Sequence, residues 1–101
     1  MASKFILEND KYVIDKDPNA VLDYIWPYTA WLDAIPDTIA SISTESTGVT
    51  VQSAGHTDKE VVVWVSGGTI SKTQLASVTV RITTVGGRID DRTAYFRIKA
   101  K

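Results

Sequence analysis

The side chains that chemistry most often recruits are few in this sequence, and their spacing suits none of the common sites. His56 is the only histidine, so general-base or metal chemistry would have to centre on it. It lies in SAGHTDKE, after Gly55 and before Asp58, where a solvated loop side chain is expected. Sequence order leaves a Ser-His-Asp triad open, because triads are defined by geometry, but nothing points to one. Asp90 and Asp91 are adjacent carboxylates, yet neighbours along an extended chain point to opposite sides, so they read as loop and turn residues rather than an acid/base pair. Asp15, Asp17 and Asn19 in DKDPNA imitate the opening of a calcium loop. Its sixth position, however, is Ala20 rather than Gly, and its twelfth is Trp26 rather than Glu. Gly67-Gly68 and Gly86-Gly87 lack the spacing and the lysine of a phosphate loop and fit strand-connecting turns. No catalytic, cofactor-binding or metal-ligating residue is assigned, no cofactor is expected, and no interface residue can be named.

Composition narrows the classes further. A chain of 101 residues has the size of one domain and can remove roughly two-thirds of its unfolded surface from water. Hydrophobic residues at 44% and charged residues at 23% exclude neither a core nor a soluble surface, and they fit an ordinary globular chain. Eleven basic against twelve acidic residues give a net charge of -1 without any block of like charge, which argues against nucleic-acid and membrane partners. The absence of cysteine removes disulfides and thiolate metal sites and fits a reducing compartment. The start, MASKFILENDKYVID, has too short an apolar core for a signal peptide, and no apolar run approaches the roughly 18 residues of a membrane span. Synthesis and folding in the cytoplasm are expected.

The elements that would position any site are strands. Apolar residues recur with period two rather than 3.6, in runs rich in Val, Ile, Thr, Tyr and Trp. The pattern predicts strands near Lys11 to Asp15, Val21 to Tyr28, Thr38 to Ser43, Gly48 to Ser53, Glu60 to Ser66, Leu75 to Thr84 and Thr93 to Lys99. About seven short strands with turns between them predict an all-β, immunoglobulin-like, antiparallel two-sheet sandwich over residues 11–101. Trp64, in VVVWVSGG, is the candidate for the large side chain that plugs the core. Residues 1–10 read as an N-terminal arm able to add a strand to a neighbouring subunit, or as a loose terminus.

The last hairpin carries a register problem. Gly86-Gly87 advertises a two-residue turn, but that turn pairs Val85 with Arg88, sets Val80 opposite Thr93, and throws Ala94, Phe96 and Ile98 onto the wrong face. An odd loop, for example Val85 to Ile89, or a bulge beside the glycines brings Val78, Val80 and Ile82 back to their face. The other face then carries Thr79, Arg81 and Thr83 beside Tyr95, Arg97 and Lys99, a polar and basic stripe suited to solvent. Between Pro27 and Pro36, WPYTAWLDAIPDTI resists the strand reading. An extended turn or one helical turn is expected there, with Trp26, Trp31, Leu32 and Ile35 closing one end of the core or, if exposed, forming a partner surface.

Several stretches, in order, resemble a family of small tail-associated proteins of bacteriophages and prophages, the phage fibre-tail adaptors: KDPNAVLDYIW from Lys16 to Trp26, AWL, DTIASIS, VVVWVSGGT from Val61 to Thr69, and RITTVGGRIDDRT from Arg81 to Thr93. Pro36 and an N-terminal extension of about ten residues depart from the pattern. The resemblance implies an immunoglobulin-like sandwich, a non-enzymatic structural protein of the virion, other phage structural proteins as partners, and the option of homo-oligomers in the assembled particle. A capsid decoration or cementing protein is the alternative within the virion. A carbohydrate-binding module, stacking sugars on Trp26, Tyr28, Trp31 and Tyr95, is the alternative outside it, and a small hydrolase using His56 comes last.

Overall fold

The computed structural model describes residues 6–8, 11–69 and 75–99. In chain order the elements are β1 (Ile6–Glu8), β2 (Lys11–Lys16), β3 (Leu22–Pro27), α1 (Thr29–Ala34), β4 (Ile39–Thr47), β5 (Thr50–His56), β6 (Glu60–Ser66), β7 (Ala76–Thr84) and β8 (Ile89–Ile98). They form two sheets, ordered β1-β2-β8-β7-β4 and β3-β6-β5. Placing β4, β7 and β8 against β3, β6 and β5 reproduces the strand distribution of an immunoglobulin sandwich. The expected all-β two-sheet fold is therefore present, with β2 to β8 as its seven main strands.

One pairing differs from the antiparallel expectation. β2 runs parallel to β8, from Tyr12↔Ala94 to Lys16↔Ile98, while the other strand pairs are antiparallel. β2 and β3 lie in different sheets and are joined by residues 17–21, so the chain passes here from the sheet that holds β8 to the sheet that holds β6. Lys16 closes this junction. It is 1% exposed, and its Nζ donates to the carbonyls of Asp17 at 2.8 Å and Gly67 at 2.6 Å, which ties the end of β2 to the exit of β6. Burial holds its ammonium below the usual lysine pKa, with nearby Asp17 opposing the shift.

The core follows the period-two pattern. Val61, Val63 and Val65 on β6, Val78, Val80 and Ile82 on β7, and Phe96 on β8 are fully buried, with Ala94 and Ile98 nearly so. Tyr24 meets Phe96 edge to face at 5.0 Å between ring centres, and these two rings fill the centre. The expectation for Trp64 is overturned, since it is 42% exposed. In VVVW both faces of the strand are apolar, and parity is set by the neighbour: Tyr24 pairs with Val63 and Asp23 with Trp64, so Val61, Val63 and Val65 point inward and the indole, with Val62, outward.

The final hairpin avoids the two-residue turn. Gly87 N donates to Thr84 O at 3.0 Å and Thr84 N donates to Arg88 O at 2.8 Å, leaving an odd connection, Val85 to Gly87, with Gly87 at φ 87° as the bulge residue. It is shorter than Val85 to Ile89 but has the same parity. Val78 lies opposite Ala94 and Ala76 opposite Phe96, in phase as the apolar stripes require. β8 starts at Ile89 rather than Thr93, so Asp90 and Asp91 are strand residues and not the turn residues expected. Of residues 1–10, only Ile6–Glu8 is described, and it pairs antiparallel with β2 of its own chain. The rest of the proposed arm lies outside the described residues.

Candidate functional site

Three connections meet at one end of the sandwich: residues 28–38 around α1, residues 57–59 between β5 and β6, and residues 85–88 at the β7–β8 tip. Pro27 ends β3 because it cannot donate to the ladder, and the chain turns at once into α1, where Leu32 N donates to Tyr28 O at 2.9 Å. Trp26, Tyr28 and Leu32 are buried, so this segment closes the core end as expected. Arg92 caps it from outside. Its guanidinium stands 4.2 Å over the Tyr28 ring and donates to the Pro27 carbonyl at 2.8 Å. Burial pushes the Tyr28 hydroxyl far above the usual tyrosine range, with Arg92 opposing the shift.

Asp37 is the knot. Its Oδ1 accepts from Thr38 N at 2.8 Å and Gly86 N at 3.1 Å, and its Oδ2 accepts from Arg88 Nη1 at 2.9 Å. The side chain is only 5% exposed. Hydrogen bonding from the Thr84 hydroxyl, followed by the Thr38, Gly86 and Arg88 donors, lowers its pKa to about 2. Backbone bonds complete the lock: Val85 N to Thr38 O and Ile39 N to Asp58 O, each at 2.9 Å, and Tyr28 N to Lys59 O at 3.0 Å. Lys59 Nζ also reaches Asp33 Oδ1 at 2.5 Å and Asp37 O at 3.1 Å. The knot holds out two apolar side chains, Val85 at 72% and Ile89 at 66% exposed.

The residues first considered for chemistry are scattered. His56 ends β5, exposed, with Nδ1 2.8 Å from the Thr57 carbonyl. Asp91 binds Arg81 through two bonds of 2.7 and 2.9 Å, whereas Asp90 turns the other way, to Arg92 at 3.3 Å. Asp15 pairs with Arg97 at 3.2 Å and Lys99 at 3.7 Å, and Asp17 Oδ1 accepts from Asn19 N at 2.7 Å in a turn. These carboxylates serve the sheet face and the turn, and among the described residues no three His, Cys, Asp or Glu side chains converge to hold a metal. Gly67 and Gly68 both take positive φ, and a Cβ on Gly68 would come within 2.7 Å of Ile98 Cδ1, so this pair serves a close approach of chains. A groove of about 50 Å3 lined by Ser43, Thr44, Glu45, Thr79, Arg81 and Asp91 is far below the roughly 300–1,000 Å3 of ligand pockets. Of the four rings proposed for sugar stacking, Trp26 and Tyr28 are 3% and 0% exposed, which dismantles that platform.

Two features escaped sequence reasoning. Asp37 reads locally as a turn residue after Pro36, because its partners Gly86 and Arg88 lie some fifty positions away. Val85 and Ile89 fall outside the predicted strands, at the two ends of the expected odd loop, and nothing local marks them as a pair; the structure puts Val85 in the three-residue tip and Ile89 at the start of β8, both exposed.

A search of curated proteins finds no match. A family model described as podophage GP4 fiber-tail adaptor protein gp77 matches residues 16–97. That span opens on the buried Lys16 and includes the β3–β6–β5 sheet, the Asp37 knot and the final hairpin. A match over most of the length and through both sheets settles the family: the chain belongs to the podophage GP4 fiber-tail adaptor proteins of the gp77 type.

Proposed function

We propose that this protein is a non-enzymatic connector in a podophage-type particle, working in the virion by binding other tail or fibre components through its surface. The observation that carries the reading is the family match over residues 16–97. What supports the non-enzymatic part is where the rigid end spends its polar groups. Asp37, Thr84 and Arg88 bind one another and the backbone, so their donors and acceptors fix loops instead of meeting a substrate. Such an end suits recognition, in which pre-ordered loops avoid the entropy cost of ordering on contact. Val85 and Ile89 are the side chains we assign to that contact, with a fibre or tail protein as the partner.

Mass spectrometry of purified particles tests the connector role, with copy number measured against the major capsid protein. The expected result is a fixed copy number per particle that follows the tail when heads and tails are separated. Absence from particles sinks the reading, and co-purification with tail-free heads replaces it with capsid decoration.

A further inference from the structure

One side of the sandwich differs in composition from the rest of the molecule. Residues 38–57 hold both β4 and β5, yet Glu45 is the only Asp, Glu, Lys or Arg among them, in a chain where such residues make up 23%. Among the described residues both strands are sheet edges: β4 ends one sheet and β5 the other. They lie side by side, joined by Gly48 and Val49. Ala40, Ser41, Ser43, residues 45–47 and every residue of β5 except Val51 are exposed.

A long edge strand presents a row of backbone donors and acceptors to any other strand, and proteins usually blunt it with lysine, proline, brevity or a bulge. β4 is nine residues long and has neither lysine nor proline. Its one irregularity falls between Ile39 and Ser41, and Ser41 to Thr47 then run in unbroken register with β7. Hydroxyl-bearing Ser and Thr side chains project along this edge, with Ile42 and Thr44 half-buried on the inner face.

We propose that β4 is a homotypic association edge, pairing antiparallel about a two-fold axis with β4 of a second copy of this chain. Charge selects that occupant. An isologous contact must be complementary to itself, and a hydroxyl-rich strand with one carboxylate meets its own copy without like charges in opposition. Centring the pair on Ser43 sets each Glu45 opposite the other copy's Ser41. The two carboxylates then lie roughly 14 Å apart along the strands, beyond the screening length of about 8 Å at physiological salt. Ile42 meets Thr44 on the inner face, covering the half-buried apolar surface. A partner strand rich in charge would find no ion-pairing group on β4 except Glu45, and β5, the edge beside it, carries a register shift between Val51 and Ser53, which leaves β4 as the unbroken edge for a second copy. The inference does not depend on the connector role, because the purified chain alone tests it.

Sedimentation velocity of the full chain between roughly 10 and 500 μM covers the range in which a small edge-to-edge dimer populates. The wild type is expected to pass from monomer to dimer. Ser43→Lys puts two ammonium groups face to face at the centre and weakens dimerisation at least tenfold, and Ser41→Lys acts likewise should the first variant fold poorly. Ala30→Lys, on exposed α1, leaves the dimer unchanged. A wild type that stays monomeric at the highest concentration overturns the proposal and leaves the edge to a strand of another protein. Folded lysine variants at both positions that dimerise as the wild type does overturn it equally.

Discussion

At the scale of single residues, Asp37 concentrates most of what holds the loop end together, and its chemistry makes the contribution measurable by pH. Four donors converge on one carboxylate, the Thr84 hydroxyl foremost, and its pKa falls from 3.8 to about 2. A carboxyl whose folded pKa is depressed stabilises the fold above its unfolded pKa, and the stabilisation is lost as pH falls through the folded value. Its contribution is thus complete above about pH 5 and disappears between about pH 4 and 2. Asp37→Asn keeps the shape but discards the charge, so the variant melts below the wild type at pH 7, and the gap closes as both are taken to pH 2. Asp91, also depressed by the Arg81 hydrogen bond, is common to both proteins and cancels in the difference. Thermal midpoints at pH 7, 4 and 2.5 decide the matter, and a gap of constant size at all three would mean that Asp37 acts through something other than its charge.

At the scale of elements, the β7–β8 hairpin and β6 separate what sequence can reveal from what it cannot. The β7–β8 hairpin was legible because its strands alternate cleanly, so phase alone excluded the two-residue glycine turn. β6 was legible as a strand but not in its orientation, since Val61 to Val65 with Trp64 between them is apolar on either face, and only pairing with Tyr24 decides which side is in. The middle of the chain was shortened for a related reason: the Ser/Thr run of β4 carries no alternation when both its faces are largely exposed. The parallel β2–β8 pair was hidden entirely, because direction depends on which sheet a strand joins and not on its composition. The orientation of β6 has a direct consequence for stability. Phe96→Ala, which empties the ring packed against Tyr24, costs about 3–5 kcal/mol, whereas Trp64→Ala, half in solvent, costs less than about 1.5 kcal/mol. Urea melts of both variants give the comparison, and an equal or larger loss for Trp64→Ala would contradict the outward indole.

At the scale of the whole molecule, the sandwich carries three surfaces: the end built on Asp37, the charge-poor edges of β4 and β5, and the polar face, adjoining β4, where Arg81, Arg97 and Lys99 are met by Asp91 and Asp15. Pairing of that kind turns the expected basic stripe into a nearly neutral, solvated face, which is why the proposed contacts are placed at the loop end and on the charge-poor edge. Exposed apolar residues scattered singly need no explanation, but Val85 opens the three-residue tip, Ile89 begins β8 just after it, and the tip's backbone is bolted to Thr38 and Asp37. Held backbone and exposed side chains set this tip apart from a frayed loop and fit the contact proposed for it. Replacing both residues with Asp therefore tests function without touching the core: the Val85→Asp, Ile89→Asp double variant is expected to unfold within about 0.5 kcal/mol per site of the wild type yet to be lost from assembled particles. Complementation of a phage lacking the wild-type copy, followed by mass spectrometry of the purified particles, reads the outcome. Incorporation at the wild-type copy number would move the contact away from this end and toward the strand edges, where the association state of the free protein gives an independent answer.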